Sequence, residues 1–456
     1  MRRYIFEDIR HVPPFNEPAG LLTVGVQPLK IHLEELFLDY FDGQLDLGET
    51  LHYPLDTSDP MLLKKQLQTE LTKVDGEAIV YRDSLWFDNK FLSYFLDRAT
   101  KTGKACRASF PVNDKAFHTY TLPLTKGFMP AQADSGIVFL CDLWYFPDGY
   151  VPEDQIVPIT VPSDAREIGF YSVPDFMTLQ TGNLTHYAPE RAIISIESWV
   201  HVYFATIIFG NFGRAGTLDA NIDKSAFLQL KLLWRAVIEQ HQILNSSASV
   251  KIGKDCDIDP SAIITGPAEI GDNCSIGAGA IVDNCTIGNN VNIDAGCVLK
   301  MSTVADNCFL PFKCSLYLTA VMENTIISQN TCLQMCVIGR NSFVGAGNTF
   351  TDFNLIAQKP IRAANIDGDL ASVGQIVLGS AVGHNCRVGS GMVIFPGRMI
   401  ESDVVVVASP QRRVISRNIS FEESDHHFIR HGDIHKRFYP RHDEEPEGVD
   451  DTWETW

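Results

Sequence analysis

The chain has 456 residues, of which 45% are hydrophobic, 10% aromatic and 20% charged. That is the make-up of an ordinary globular protein of about two to four domains, neither disordered nor fibrous. Its 56 acidic and 37 basic residues leave a net charge of −19, which argues against nucleic acid or an anionic membrane as partner, because both are held mostly by Lys and Arg.

The opening Met1–Asp8 carries two acids where a secretory signal needs an apolar core. The longest apolar stretch, Trp199–Phe209, is far short of the roughly 20 residues of a membrane span. The eleven cysteines are expected to be reduced thiols rather than a disulfide framework. A cytoplasmic location is the expectation.

Residues 1–190 mix strand-like runs, such as Gly76–Tyr81 and Gly136–Phe146, with helical ones such as Asp88–Ala99. This predicts an alternating α/β domain. A helical connector is expected over 191–249, with one helix from Ser198 to about Phe209 and a loop around Gly213–Asp223. An amphipathic helix then runs over Lys224–Leu244, its apolar positions Phe227, Leu230, Leu233, Trp234, Val237 and Ile238 falling at helical spacing.

From Ile252 an aliphatic residue recurs at every sixth position: Ile258, Ile264, Ile270, Ile276, Val282. After a five-residue step the register resumes at Ile287, and after another at Val304. The following residue is often Gly or Asp, and the residue four later is small. Period six suits neither a helix nor a lone strand. It predicts a solenoid of short strands over 250–420, with aliphatic and small residues inside and Gly or Asp at the corners. Cys256, Cys274, Cys297, Cys308, Cys314 and Cys386 occupy the small interior slot and are expected to pack as small apolar groups. The register breaks over Gly345–Gln375 and returns at Ile376. The segment 421–456 is acidic and rich in histidine, and it predicts a solvated tail.

The solenoid resembles the hexapeptide-repeat, left-handed parallel β-helix proteins over about residues 250–408. That resemblance implies the hand of the coil, a homotrimer, and acyl or nucleotide ligands in clefts between subunits. Two N-terminal stretches, Leu21–Phe37 and Ala78–Ala99, resemble the sugar-phosphate nucleotidyltransferases, whose N-terminal domain often precedes such a coil. The whole then resembles a bifunctional pyrophosphorylase/acyltransferase with degenerate N-terminal motifs. In this match Asp83 takes the place of the Mg²⁺-binding aspartate, although a strand-end aspartate also simply caps a turn. The Gly-rich phosphate loop is replaced by Phe6–Phe15, which has no glycine, and the two signature lysines fall on Ala19 and Gln27. Phosphoryl-type transfer depends on such cations, so that chemistry loses most of its apparatus.

Two places are left for chemistry. Gly383-His384-Asn385 resembles the His-Asn pair of β-helical N-acyltransferases, which makes His384 the candidate base and Asn385 a substrate contact. A corner decoration fits the same residues. The irregular stretch supplies Asn348, Asp352, Lys359 and Arg362 as candidate contacts for the phosphates of a nucleotide-sugar or of coenzyme A. A loop that packs on a neighbouring subunit is the other reading. Three functions follow: acyl transfer on a sugar phosphate or nucleotide-sugar from an acyl-CoA donor, sugar-1-phosphate nucleotidyl transfer with Asp83 and Mg²⁺, or a non-catalytic nucleotide-sugar-binding scaffold.

Overall fold

The computed structural model describes residues 1–41, 51–55, 57, 59–133, 136–172, 183–240, 243–246, 248–354, 359–428, 435–442 and 444. The N-terminal part is built on a mixed seven-stranded sheet. Its strands are β1 (Arg2–Asp8), β2 (Leu51–Leu55), β3 (Ala78–Arg82), β4 (Cys106–Pro111), β5 (Met129–Ala133), β6 (Gly136–Phe146) and β7 (Val157–Thr160). β1 lies between β2 and β3 and is parallel to both, while β6 runs antiparallel between β3 and β4.

Alternation along β1 explains the layering. Tyr4 and Phe6 face α2 (Pro60–Leu71) through Leu63, Leu67 and Leu71. Ile5 faces the opposite layer of α1 (Leu29–Tyr40) and α3 (Asn89–Thr102). The sheet is therefore covered on both sides, as a central parallel strand requires.

Downstream, α4 (Trp199–Tyr203) continues as wider π-type turns over Phe204–Phe212. The loop expected around 213–223 is instead a helix, α5 (Gly213–Lys224). The amphipathic segment forms α6 (Ala226–Glu239), which holds all six apolar positions and is shorter than the expected Lys224–Leu244.

From Val250 the chain winds into a triangular prism of three parallel sheets with eight strands each. The arrangement fits a left-handed β-helix. Ile270, Ile276, Val282 and their successors stack inside one continuous apolar core. The corners turn mainly on asparagine: Asn273, Asn290, Asn307, Asn324 and Asn341 all adopt positive φ, which asparagine tolerates better than other side chains. Asn290, Asn307 and Asn324 bond in a ladder, with donor–acceptor distances of 3.1 Å. Buried thiols bond across coils, as Cys274 donates to the Gly288 carbonyl at 3.1 Å and Cys386 to that of Glu401 at 3.0 Å. Burial pushes the thiol of Cys308 up to about 12, so it stays protonated.

One face of the prism is not solvated. Its outward residues Ala320, Val337 and Ala381 join the same apolar cluster as α1, α3 and Trp199–Phe212. The irregular stretch leaves the prism after Thr349–Phe350 and returns at Ala381–Val382. It carries an antiparallel hairpin, Arg362–Ala364 with Leu370–Ser372.

Residues 421–428 and 435–442 depart from the solvated tail expected over 421–456. Arg437 and Arg441 reach Glu401 at 3.1 and 2.6 Å, and the Tyr439 amide donates to Asp403 at 2.7 Å. Acids projecting from the last coils hold this segment down. His431 lies outside the described residues.

Candidate functional site

Three places where chain-distant elements meet decide which candidate residues are available for chemistry. The first is the crevice at the carboxyl ends of β1 and β3, where neighbouring strands diverge and α/β sheets take ligands. Here the chain fills the space itself. Arg82 is fully buried, with carboxylate oxygens of Asp142, Glu197 and Asp8 at 3.4, 3.7 and 4.0 Å. Arg10 grips Asp8 through two nitrogens, at 2.5 and 2.7 Å, and Arg107 holds Asp142 at 2.7 Å. Three guanidinium groups thus balance three carboxylates. Gly127 is required beside this knot, because a Cβ there would overlap the Arg82 guanidinium.

Asp83 lines an adjoining cavity of about 450 Å³ with Glu7, Lys30 and His52. One of its oxygens accepts the Asp8 amide at 2.7 Å. Burial, with the nearby charges of Asp8 and Glu7, raises its carboxyl to about 8. A protonated carboxyl is a poor ligand for Mg²⁺. Among the described residues no group of three or more His, Cys, Asp and Glu side chains is arranged to hold a metal. The residues at Asp83 do not fit the expected Mg²⁺ site.

The second place is a seam between the β1-following loop and the prism. His384 has no exposed surface. Its ring lies between Phe15 and Tyr439, with centroids 5.0 and 4.7 Å away. Nε2 faces Glu17 at 3.1 Å, and Nδ1 accepts the Arg340 amide at 2.9 Å. Arg340 closes the group with a 2.8 Å bridge to Glu17. Ser402 adds a hydrogen bond to the Pro14 carbonyl at 2.9 Å. The loop that takes the place of the Gly-rich nucleotide-binding loop is a docking key for the prism.

The general-base role expected of His384 fails on access, since no acceptor reaches a sealed imidazole. Asn385 is likewise structural, a positive-φ corner whose amide donates to Asp403 at 2.8 Å. Asn348 is buried inside the coil. Its amide nitrogen donates to the Gly345 and Gly389 carbonyls, both at 2.8 Å, and its oxygen accepts the Met392 amide at 2.7 Å. These side chains are corrected from substrate contacts to scaffold.

The seam has a pH signature. Burial opposes the ionised form of Glu17, but hydrogen bonds and charge from His384 and Arg340 prevail and hold its pKa below the ordinary carboxylate value. Burial also lowers the pKa of His384. Both depressed values contribute stability that is present at higher pH. It is lost as pH falls, below about 6.5 for the histidine and through the lowered value for Glu17. Melting temperature is therefore expected to fall on acidification from pH 7 to 4, and more steeply in Glu17→Gln. Glu17 holds the His384 pKa up, so its loss deepens the depression caused by burial. A flat profile, or a smaller fall in the variant than in the wild type, would contradict this account.

The third place is a cavity of about 580 Å³ between the irregular stretch and the prism, lined by Asp352, Phe353, Ile361, Arg362, Phe395 and Arg398. Arg362 donates to the Leu370 carbonyl, and Arg398 to the Pro396 and Arg362 carbonyls at 3.2 and 2.9 Å. Among the described residues neither arginine makes an ion pair with a carboxylate. Burial and the charge of Arg362 together lower the pKa of Arg398, as two neighbouring cations without an anion require. Burial raises the pKa of Asp352. With its amide nitrogen turned toward that carboxyl, Gln334 donates to both oxygens at 2.9 and 3.2 Å. Gly397, at φ +70°, lets the Arg362 backbone lie directly on the coil.

Asp352 and Arg362 therefore meet at one cavity, while Lys359 is exposed on the same excursion. Sequence reasoning missed Arg398. Its only signal was a basic residue beside Pro396 and Gly397, in a coil 36 residues beyond Arg362.

Residues 249–284, about two coils of the prism, match the family model for the bacterial transferase hexapeptide (six repeats). With the three stacked parallel sheets, this match defines the C-terminal part as a hexapeptide-repeat β-helix. A comparison with curated proteins gives no match. No helix among the described residues is long and apolar enough to cross a membrane.

Proposed function

We propose that the chain is an acyltransferase of the hexapeptide-repeat kind whose working site is the cavity between the irregular stretch and the prism. The observation that carries this reading is the pair of guanidinium groups, Arg362 and Arg398, beside apolar walls and, among the described residues, without an ion-paired carboxylate. Such a pair suits the phosphates of an acyl-CoA donor, and Phe353, Ile361 and Phe395 suit its less polar portion. Asp352, whose pKa is raised by burial, is the group available to take a proton from an attacking hydroxyl or amine as the thioester sulfur leaves. A sugar phosphate or nucleotide-sugar remains the proposed acceptor class, and a trimer the proposed assembly. The self-filled crevice around Arg82 and the protonated Asp83 speak against nucleotidyl transfer as the activity.

The test is calorimetric titration with acetyl-CoA, followed by assays with a panel of sugar phosphates and nucleotide-sugars. Arg362→Ala and Arg398→Ala are each expected to weaken donor binding about 10-fold or more, as loss of a hydrogen bond to a charged group does. Asp352→Asn should keep the donor and lose roughly 10²–10⁴ of the rate. If the wild-type chain binds no acyl-CoA, or if both arginine variants bind it normally, the cavity is not the donor site.

A further inference from the structure

Helix α6 (Ala226–Glu239) is turned the wrong way round for a helix that serves only its own chain. It buries Leu232 and Ala236 against the rest of the molecule. Phe227, Leu230, Leu233, Trp234, Val237 and Ile238 remain 51–78% exposed. The helix is well delimited, with the Ser225 hydroxyl accepting the Leu228 amide at 3.2 Å and Gln240 closing the other end at positive φ. Its exposed stripe amounts to roughly 800 Å² of apolar surface, more than the few hundred Å² that monomers usually leave uncovered.

We infer that α6 is an assembly helix whose apolar stripe packs against α6 of a second copy of this chain. Two features select that occupant. Phe227, Leu230, Trp234 and Val237 follow the 3-4-3 spacing of a coiled-coil seam, flanked by Leu233 and Ile238, which suits a partner helix. Two such stripes facing across a two-fold axis would bury about 1,600 Å², the size of a standard stable interface. An anionic membrane suits the site less well. Only Lys231 and Arg235 flank the stripe, Arg235 is paired with Glu239 at 3.4 Å, and the whole chain carries −19.

The pairing stands whether or not the cavity transfers acyl groups, and it acts on any assembly made through the prism faces. In light scattering at micromolar concentration, Leu230→Glu/Trp234→Glu is therefore expected to have half the wild-type mass. The conservative pair Leu230→Met/Trp234→Phe should keep it. Circular dichroism melts are expected to show both variants folded, because the altered side chains are exposed in a single chain. An unchanged mass in the folded charged variant would overturn the inference. So would wild-type chain that floats with vesicles of phosphatidylcholine and phosphatidylserine while the charged variant does not.

Discussion

Replacing Arg82 by methionine is expected to destabilise the N-terminal part by about 3–5 kcal/mol, the usual effect of removing one partner from a buried ionic group. Asp8 keeps Arg10 and Asp142 keeps Arg107. Glu197 loses the Arg82 guanidinium and keeps the Ser195 hydroxyl and the Lys126 amide, at 2.8 and 2.9 Å. Burial opposes the ionised form of Asp8, yet Arg10 and Arg82 hold its pKa below the ordinary value. Its contribution is present above about pH 4 and is lost as pH falls through the lowered value. The deficit of the variant should therefore shrink in acid. The midpoint of the first urea transition of the full chain measures it. A loss below about 1 kcal/mol would mean that this network does not hold the crevice closed.

Asp83→Asn is expected to do the opposite and stabilise the protein at neutral and higher pH. The folded chain holds the Asp83 proton up to about pH 8, against an ordinary value of 3.8. A raised carboxyl pKa contributes stability that is present below the ordinary value and lost as pH rises toward the folded one. At about 1.4 kcal/mol per pKa unit the loss reaches several kcal/mol. Asparagine resembles the protonated acid and still accepts the Asp8 amide, so it escapes that loss. Melting temperatures of variant and wild type should coincide near pH 4 and separate, with the variant higher, toward pH 8. A variant that is less stable at pH 8, or a wild type stabilised by millimolar Mg²⁺ through Asp83, would restore the metal-ligand reading.

These expectations divide along the line between local spacing and chain-distant contact. The prism is legible in the sequence because each hexad states its own geometry. An aliphatic residue that points inward, a small residue four later and a turn residue are all satisfied within one strand and corner, and stacking repeats them. The same logic exposes the irregular stretch, where the hexad stops. It places Asp352 and Arg362 there, and it predicts the apolar stripe of α6 from helical spacing alone. The recurrent asparagine of the corners is written in the same repeat, beside the expected Gly and Asp.

What only the tertiary structure decided are the fates of individual polar side chains. His384 sits in a corner pattern that would be exposed in an isolated coil. Glu17, 367 residues earlier, and Tyr439 near the chain end enclose it. Asn348 falls four residues after Val344, in the interior slot of the hexad. The Gly345, Gly389 and Met392 backbone groups that satisfy its amide there, however, are supplied by the coil's own corner and the coil beyond the excursion. Arg398 becomes a neighbour of Arg362 because the excursion folds back onto the next coil of the prism. Asp83 acquires its proton from burial beneath segments that no spacing rule connects. Hydrophobic periodicity records which way a side chain points within its own element. Solvent access, ion pairing and pKa depend on what packs over it, and that is set by residues hundreds of positions away.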